Sequence, residues 1–593
     1  MKTILKPHWI LSIFLSFLFI SCEEYLDRTP EADITEEDIF GTFESYMGYA
    51  DYNYAEVVDL LGQYAPYAPY WGGEGIFIFS DKVTAANKGE YWTLIGRGLV
   101  NYYWVNNRPR IGDWDNFGEG GIWYGGWRGI RRSNTALENI DLLQGSEEQK
   151  NIIKGQSYFF RAWFHQQIIE GFGGMPYADV IFEGTNVPKL PRLSYQETAE
   201  KIDADMDEAI ALLPVNWDNT VLGRDSQGTN TGRITKGAAM ALKGRFLLYA
   251  ASPLMNGFSG NGFNYNEEFS KRSAAASWEV IKMADEGVYS LVPWEEYSSL
   301  FHNNNDGTNV WTSETLWLKP TKEIGSLMWS TARLHWHPTY LGAEGGMTTA
   351  SQNFVDRFEM ADGTRYKVEY DQDDNKRWKN RDPRFKANIA VDRDKVGDNV
   401  NSVWHGYVGD EPTARPGNQA SSTYLINKFI PYGMNTFDNE WRNFQFRPSL
   451  IRLAEVYLNY AEAVAAAYGP LGTAPGAHLT AVDAINIVRN RAGMPPVTEA
   501  ATGYDNFMDL VRNERSVELA FEGNGYWVDI RRWYIGHLQE NKPLYTLDFD
   551  KNWTFFNRNL HTLRVFDNPK HYWLPIYREQ VQLYPEFEQN PGW

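Results

Sequence analysis

The sequence predicts a mostly α protein, a scaffold of paired helices that carries large, irregular, loop-rich insertions. Three observations predict it. Apolar residues recur at helical spacing in segments of similar length, as in Ile202, Met206, Ala209, Ile210 and Leu213, or Leu453, Val456, Tyr457, Tyr460, Ala461 and Val464. Hydroxyl caps and glycine or proline stops bracket several of these segments. Two long stretches, about 64–127 and 294–440, lose that period and fill with Gly, Asn, Asp, Pro and Trp. Helix pairs set apart by insertions point to degenerate repeats of the tetratricopeptide kind, although the strict repeat pattern is absent.

Taken in order, Thr35 followed by Glu36, Glu37 and Asp38 opens a first helix, a hydroxyl cap with carboxylates in the first turn. Ser133-Asn134 is placed to cap a helix from Thr135 to Leu143. Gln156 to Ile169 is a ring-rich helix that Gly171-Phe172-Gly173-Gly174 stops. Ser194-Tyr195-Gln196-Glu197 is a capping box for a helix running to Leu213, closed by Pro214. Residues 235–250, with small Gly237 and Gly244, and residues 273–286 give two more. The C-terminal third adds three helices: one on the stripe from Leu453, one around Val482, Ile485 and Val488, one from Phe507 to Phe521. No internal linker has a disordered composition, so residues 35–593 read as a single domain with insertions.

The N-terminus carries its own instruction. Lys2 and Lys6 precede an apolar run from Trp9 to Ile20, too short for the roughly 20 residues that span a bilayer as a helix. The run ends at Ser21-Cys22, and Cys22 is the only cysteine. A lone thiol just after a signal core looks like a lipoprotein acceptor, with Phe19 where such sites usually have Leu. Residues 1–21 then form a lipoprotein signal peptide and 22–34 a lipidated tether, with Glu23, Glu24 and Asp27 resembling a surface-export signal. The chain has no second cysteine for a disulfide.

Charge excludes some partners. The chain carries a formal −20, and about −22 once Lys2 and Lys6 leave with the leader. That field repels phosphate backbones, so nucleic acid is not an expected partner, and a neutral ligand fits better than a polyanion. Composition is otherwise globular, except for 23 Trp, 35 Tyr and 32 Phe, more rings than a core alone calls for.

Several segments together resemble the RagB/SusD family of glycan-binding outer-membrane lipoproteins. Gly155 to Trp163, with Arg161-Ala162, leads to Phe172-Gly-Gly-Met-Pro176; Arg452 to Ala463 follows, then Ala484 to Gly493. Glu514-Arg515, Glu518 to Gly523 and Trp527 to Trp533 make the strongest match, and the ending from Leu574 to Gly592 also fits. The set covers nearly the whole chain past the leader, and it departs from the family mainly in the insertions. The resemblance implies a SusD-like fold, non-catalytic glycan capture at the cell surface, a lipid anchor, and delivery to a SusC-like TonB-dependent transporter. Arg161, Glu455, Glu514, Arg515, Glu522, Asp529 and Arg531 sit among apolar residues, where charge must be paired, and read as scaffold.

The candidate ligand-binding residues are in the insertions. One aromatic cluster holds Trp71, Trp92, Trp104, Trp114, Trp123 and Trp127; the other holds Trp294, Trp311, Trp317, Trp329 and Trp336. Indole faces pack the C–H face of a sugar ring, and nearby polar groups such as Asp113 bond its hydroxyls. Trp123 and Trp127 lead into a helix and Trp317 lies in an apolar strand-like run, so these three are expected in the core. Trp71, Trp104, Asp113, Trp114, Trp329 and Trp336 remain as candidates. His335 and His337 flank Trp336, but no third ligand follows by spacing, so no metal and no cofactor are expected. A glycoside hydrolase, using two of Asp81, Asp113, Asp115, Glu119 and Glu344, and a helical-repeat scaffold for peptides or proteins are the competing readings.

Overall fold

The computed structural model describes residues 35–57, 83–85, 122–182, 190–302, 311–318, 348–396, 403–409, 422–432, 449–497, 503–522, 525–576, 578–584 and 586–593. Helices dominate them. The principal ones are α1 (Glu36–Phe40), α2 (Phe43–Asp51), α3 (Asn53–Glu56), α4 (Ile122–Glu138), α5 (Glu147–Phe172), α6 (Tyr195–Leu212) and α7 (Lys236–Ala251). After them come α8 (Glu267–Asp285), α9 (Pro383–Asn388), α10 (Leu453–Tyr468), α11 (Ala481–Arg491), α12 (Tyr504–Glu518) and α13 (Gly525–Arg532).

Caps set many of these boundaries. Ser194 forms the expected capping box with Glu197, and the expected Thr35 cap closes a box with Asp38 as well. Two further boxes, Ser146 with Gln149 and Thr480 with Asp483, start α5 and α11. Helix α5 therefore begins nine residues before the expected Gln156, and it ends on Gly173 at φ 79°, a left-handed position that glycine tolerates.

The expected helix from Thr135 to Leu143 is wrong. Helix α4 starts at Ile122 and runs through Ser133 and Asn134; only a short 3₁₀ turn covers Ile140–Leu142. The two polar residues are spent elsewhere. Ser133 Oγ donates back to the Gly129 carbonyl at 2.9 Å, while Asn134 Nδ2 donates to the carbonyls of Ala178 and Val180 at 3.0 and 3.2 Å. A side chain bonded back into its own helix, like Ser133, or to a distant segment, like Asn134, does not cap.

The helices pack as a row of neighbours: α4 on α5, α5 on α6, α6 on α7, α7 on α8, α8 on α10, and α10 on both α11 and α12. This is the helical-repeat scaffold the periodicity predicts. Its core is continuous, and α5 is buried on almost every side over its C-terminal two thirds. Gly129 permits a close approach of α4 to α5, because a Cβ there would lie only 2.1 Å from the ring of Phe164.

A second, smaller core gathers around a four-stranded antiparallel sheet in the order β1 (Val83–Ala85), β3 (Thr348–Ala350), β5 (Tyr424–Ile426), β4 (Ile389–Ala390). Two antiparallel pairs complete the described strands. β2 (Thr315–Leu318) pairs with β6 (Ser449–Arg452), and β7 (Pro543–Phe549) with β8 (Phe556–Leu563).

The α4–α5 contact makes a direct test. Gly129→Leu should destabilise by about 1–3 kcal/mol through overpacking, lowering the urea midpoint while leaving the slope unchanged. An unaltered midpoint would mean that α4 does not sit on Phe164 as described.

Candidate functional site

The first ring-rich stretch is held at its base. It departs after Val57 and returns at Ile122, where α3 packs on α4. The Glu56 carboxylate accepts Arg128 Nε and Nη2, both at 3.2 Å, and lies 3.5 Å from Arg132 Nη2. Arg128 and Arg132 stand one turn apart on α4, so both reach the same side of that helix. Asn53 adds a bond from Arg132 Nη1 to its Oδ1 and one from its Nδ2 to Ser133 Oγ, each 3.2 Å. The Arg132 guanidinium also lies over the Tyr52 ring, 4.9 Å from its centre.

Between those ends the same stretch contributes β1, which pairs with β3 of the second stretch in the register Val83↔Ala350, Thr84↔Thr349, Ala85↔Thr348. Strands more than 260 residues apart thus share one ladder. Because the pair is antiparallel, the chain leaving β1 (86–121) and the chain entering β3 (319–347) attach at the same end of it. The chain entering β1 (58–82) attaches at the other. The second stretch is rooted in the helical core by Trp317. Its ring meets Phe159 and Trp163 edge-on at 5.3 and 5.0 Å, and its Nε1 donates to the Gly232 carbonyl at 3.1 Å.

Trp71, Trp104, Asp113, Trp114, Trp329 and Trp336 all lie outside the described residues, as do Cys22, His335, His337, Asp81, Asp115, Glu119 and Glu344. The core expectations are met: Trp317 and Trp123 are buried, and Trp127 is partly buried against the same cluster. Trp294 is partly buried and stacks on Tyr297 with 5.0 Å between ring centres. Among the described residues no group of His, Cys, Asp and Glu is arranged to hold a metal ion, and no helix is long and apolar enough to cross a membrane.

What binds the sheet to the helices is a cluster of buried charge. Arg452, at the end of β6, donates to Glu314 at 2.7 Å, to Glu518 at 2.8 Å and to both oxygens of Glu522 at 2.7 and 2.8 Å. Arg491 of α11 bonds Glu314 at 3.2 Å and also Glu518. Arg384 of α9 is clamped between Asp382, Glu514 and Glu518, and Arg489 joins Glu514 to Glu359 at 2.9 Å each. Lys428, two residues past β5, donates to Glu522 at 2.7 Å with its ammonium over the Phe301 ring.

A second cluster links α7, α10, α12 and α13. Glu455 takes Arg245 at 2.7 and 2.6 Å and Arg515 at 3.2 Å, Asp529 takes Arg515 and Arg532, and Glu462 takes Arg532, Trp533 and Tyr265. Arg161 forks onto Asp205 at 2.6 Å. Arg531 donates instead to the backbone carbonyls of Glu170 and Tyr572, each at 2.7 Å.

Burial opposes ionisation of Glu455, Glu462, Glu518 and Glu522, and the cations around them more than reverse it. Glu455 and Glu462 are held down to about 2, beside Arg245 and Arg515 and beside Arg532 respectively. Glu518 is held well below the usual range by Arg491, Arg452 and Arg384. Carboxylates so firmly ionised suit anchoring and not proton donation. Lys428 behaves oppositely: burial pulls its ammonium down to about 8, only partly countered by Glu522. The sequence marks the carboxylates as paired, but it misses Arg384, Lys428 and Glu314, which reach Glu514, Glu522 and Arg452 across 130, 94 and 138 residues. The β1–β3 pairing had no sequence signal.

Comparison with known proteins follows the same outline. Residues 300–593 match a family model described as the SusD family, and residues 97–248 match one described as starch-binding associating with outer membrane. A SusD-like protein P2 of Formosa agariphila is 24% identical over 211 residues, which span 35% of this chain and 39% of that protein. A SusD-like protein from Bacteroides fragilis has a TM-score of 0.72 at 23% identity, covering 94% of this chain and 99% of its own. A SusD-like carbohydrate-binding protein from the same species gives 0.67 at 19%, with 93% and 100% covered. A laminarin-binding SusD-like protein gives 0.57 at 19%, with 93% and 100% covered. At these identities the likeness to solved structures is one of fold.

The depressed Lys428 ammonium has a signed consequence. Between its folded value, about 8, and the ordinary 10.5, the unfolded chain holds a proton that the folded chain has lost. Stability contributed by this group therefore rises with pH across that window, by about 3 kcal/mol. Lys428→Met should remove the rise. Urea unfolding at pH 7.5 and 9.5 checks it, and equal pH dependence in both proteins would refute it.

Proposed function

The chain belongs to the RagB/SusD family, and from that premise we propose that it binds a polysaccharide or oligosaccharide without catalysis and delivers it to a SusC-like TonB-dependent transporter. It works at the cell surface, held to the outer membrane by a lipid on Cys22. The carbohydrate named for two of the similar structures supports the ligand class. The observation that carries the reading is the β1–β3 ladder: two Trp-rich stretches remote in sequence are joined through one sheet, so rings from both can serve one ligand.

More than one ring is needed. A sugar covering ~100 Å² of apolar surface gains at most ~2.5 kcal/mol, against association costs of ~4 kcal/mol or more. Two or three rings bring binding to roughly the millimolar to micromolar range. Trp71, Trp104, Trp114, Trp329 and Trp336 supply the rings and Asp113 a hydroxyl partner. The arginine-locked carboxylates of the scaffold take no part in chemistry, which agrees with a capture role. The acidic chain favours a neutral glycan.

Purified protein incubated with a polysaccharide panel should retain at least one member on an affinity gel and release no new reducing ends. Turnover would make it a hydrolase. Alanine at each of the five tryptophans in turn should abolish retention in at least one case with thermal unfolding unchanged. Normal retention by all five would remove these residues from the site.

A further inference from the structure

Trp553 sits in the turn between β7 and β8, partly buried against the second core, with its ring 5.5 Å from that of Trp378 and 6.2 Å from that of Phe556. Its Nε1 donates at 2.9 Å to Asp392, a buried carboxylate just past β4 that also accepts the Gly406 N–H at 2.8 Å. Over the indole lies the Arg393 guanidinium, 3.9 Å from the ring centre. That arginine is held lightly. Its side chain is 51% exposed, its Nη2 donates to the Lys551 carbonyl at 2.8 Å, and its Nε stands 3.4 Å from Asp392. Both residues have left-handed backbone, φ 60° at Trp553 and 68° at Arg393. A bulky side chain rarely adopts that region, and glycine or asparagine would serve either position with less strain. Such strain clusters where side chains are presented to a ligand. Here it brings an indole and a guanidinium face to face.

We propose that the outer face of Trp553 is a sugar contact and that Arg393 occupies it in the free protein. The footprint of the arginine carries the assignment: a flat group on the indole face and one hydrogen donated to a carbonyl beside it. A pyranose offers the same pair, a C–H face for the ring and a hydroxyl for the Lys551 carbonyl. A guanidinium stacked at an exposed site is held weakly, whereas the sugar gains by burying apolar surface. An anionic sugar would pair with Arg393 instead of displacing it, so the site takes neutral residues. This rests on the glycan-binding reading and adds to it a ring from outside the two Trp-rich stretches. One ring holds no glycan alone, so its part shows as a change in affinity.

The experiment uses the full chain after the leader and the variants Arg393→Gly, Trp553→Gly and the two combined, since glycine suits the left-handed φ at both positions. Retention of neutral glucan, mannan and xylan is measured on affinity gels, with backbone hydrogen exchange in β7 and β8 as the check on folding. Arg393→Gly should hold the retained polysaccharide about threefold more tightly, because no stacked cation has to be displaced. Trp553→Gly should bind about tenfold more weakly. Arg393→Gly should then add nothing, with no ring left to uncover. Unchanged or weaker binding by Arg393→Gly overturns the proposal, as does a gain that persists without the indole. Trp553→Gly also removes core contacts. If exchange in β7 and β8 rises with it, Arg393→Gly decides alone, because that side chain lies outside the core. Retention of none of the three polysaccharides by the wild type would instead sink the glycan-binding reading, and this contact with it.

Discussion

Glu518 has no exposed side-chain surface and receives three arginines that come from three different parts of the chain: Arg384 from α9, Arg452 from β6 and Arg491 from α11. Its own carbonyl takes Arg452 again and Lys428. A carboxylate in that position is tolerable only because every neighbour is present at once. Removing one partner from a buried pair costs about 3–5 kcal/mol, since the charge left behind has no water to turn to. The arrangement is thus cooperative by construction. It is also where the row of helices and the small sheet become one body, because α9 leads directly into β4 and Lys428 follows β5.

Two kinds of cohesion divide the molecule. Along the helical row, apolar packing, with Trp317 meeting Phe159 and Trp163 edge-on and Gly129 admitting a neighbour, is joined by the buried ion pairs of Glu455, Glu462 and Asp529 and of Arg161 with Asp205. Between the row and the sheet, geometry comes from charge. Apolar contact is tolerant of small rotations, whereas a guanidinium fork accepts carboxylates in few directions. The same logic recurs on a smaller scale at Glu56, where a short helix is held by Arg128 and Arg132 and by the Ile234 N–H on Tyr54 Oη.

Much of the helical scaffold was legible because its signals are local. Thr35 with Asp38, and Ser194 with Glu197, act within four residues, and the stripe on α10 repeats every turn. The failures have the same origin. Ser133 and Asn134 have the right chemistry for a cap, yet Asn134 is drawn to Ala178 and Arg161, and a cap motif cannot announce that a stronger partner waits across the fold. Burial of Trp317 could be anticipated from its apolar flanks. The candidate site was legible only as residue type, aromatic rings in aperiodic sequence, with no indication of how the two stretches relate.

The sequence by itself determined most of the helices, the caps at Thr35 and Ser194, the need for Glu455, Glu514 and Asp529 to find cations, and the family to which the chain belongs. Only the tertiary structure decided which cations those are, and that a strand at 83–85 pairs with one at 348–350. The physical reason is range. Capping and amphipathic periodicity are settled within a turn or two of helix, so residue order encodes them directly. An ion pair or a strand ladder closed over more than a hundred residues is selected by packing everything between, and nothing in either segment names the other.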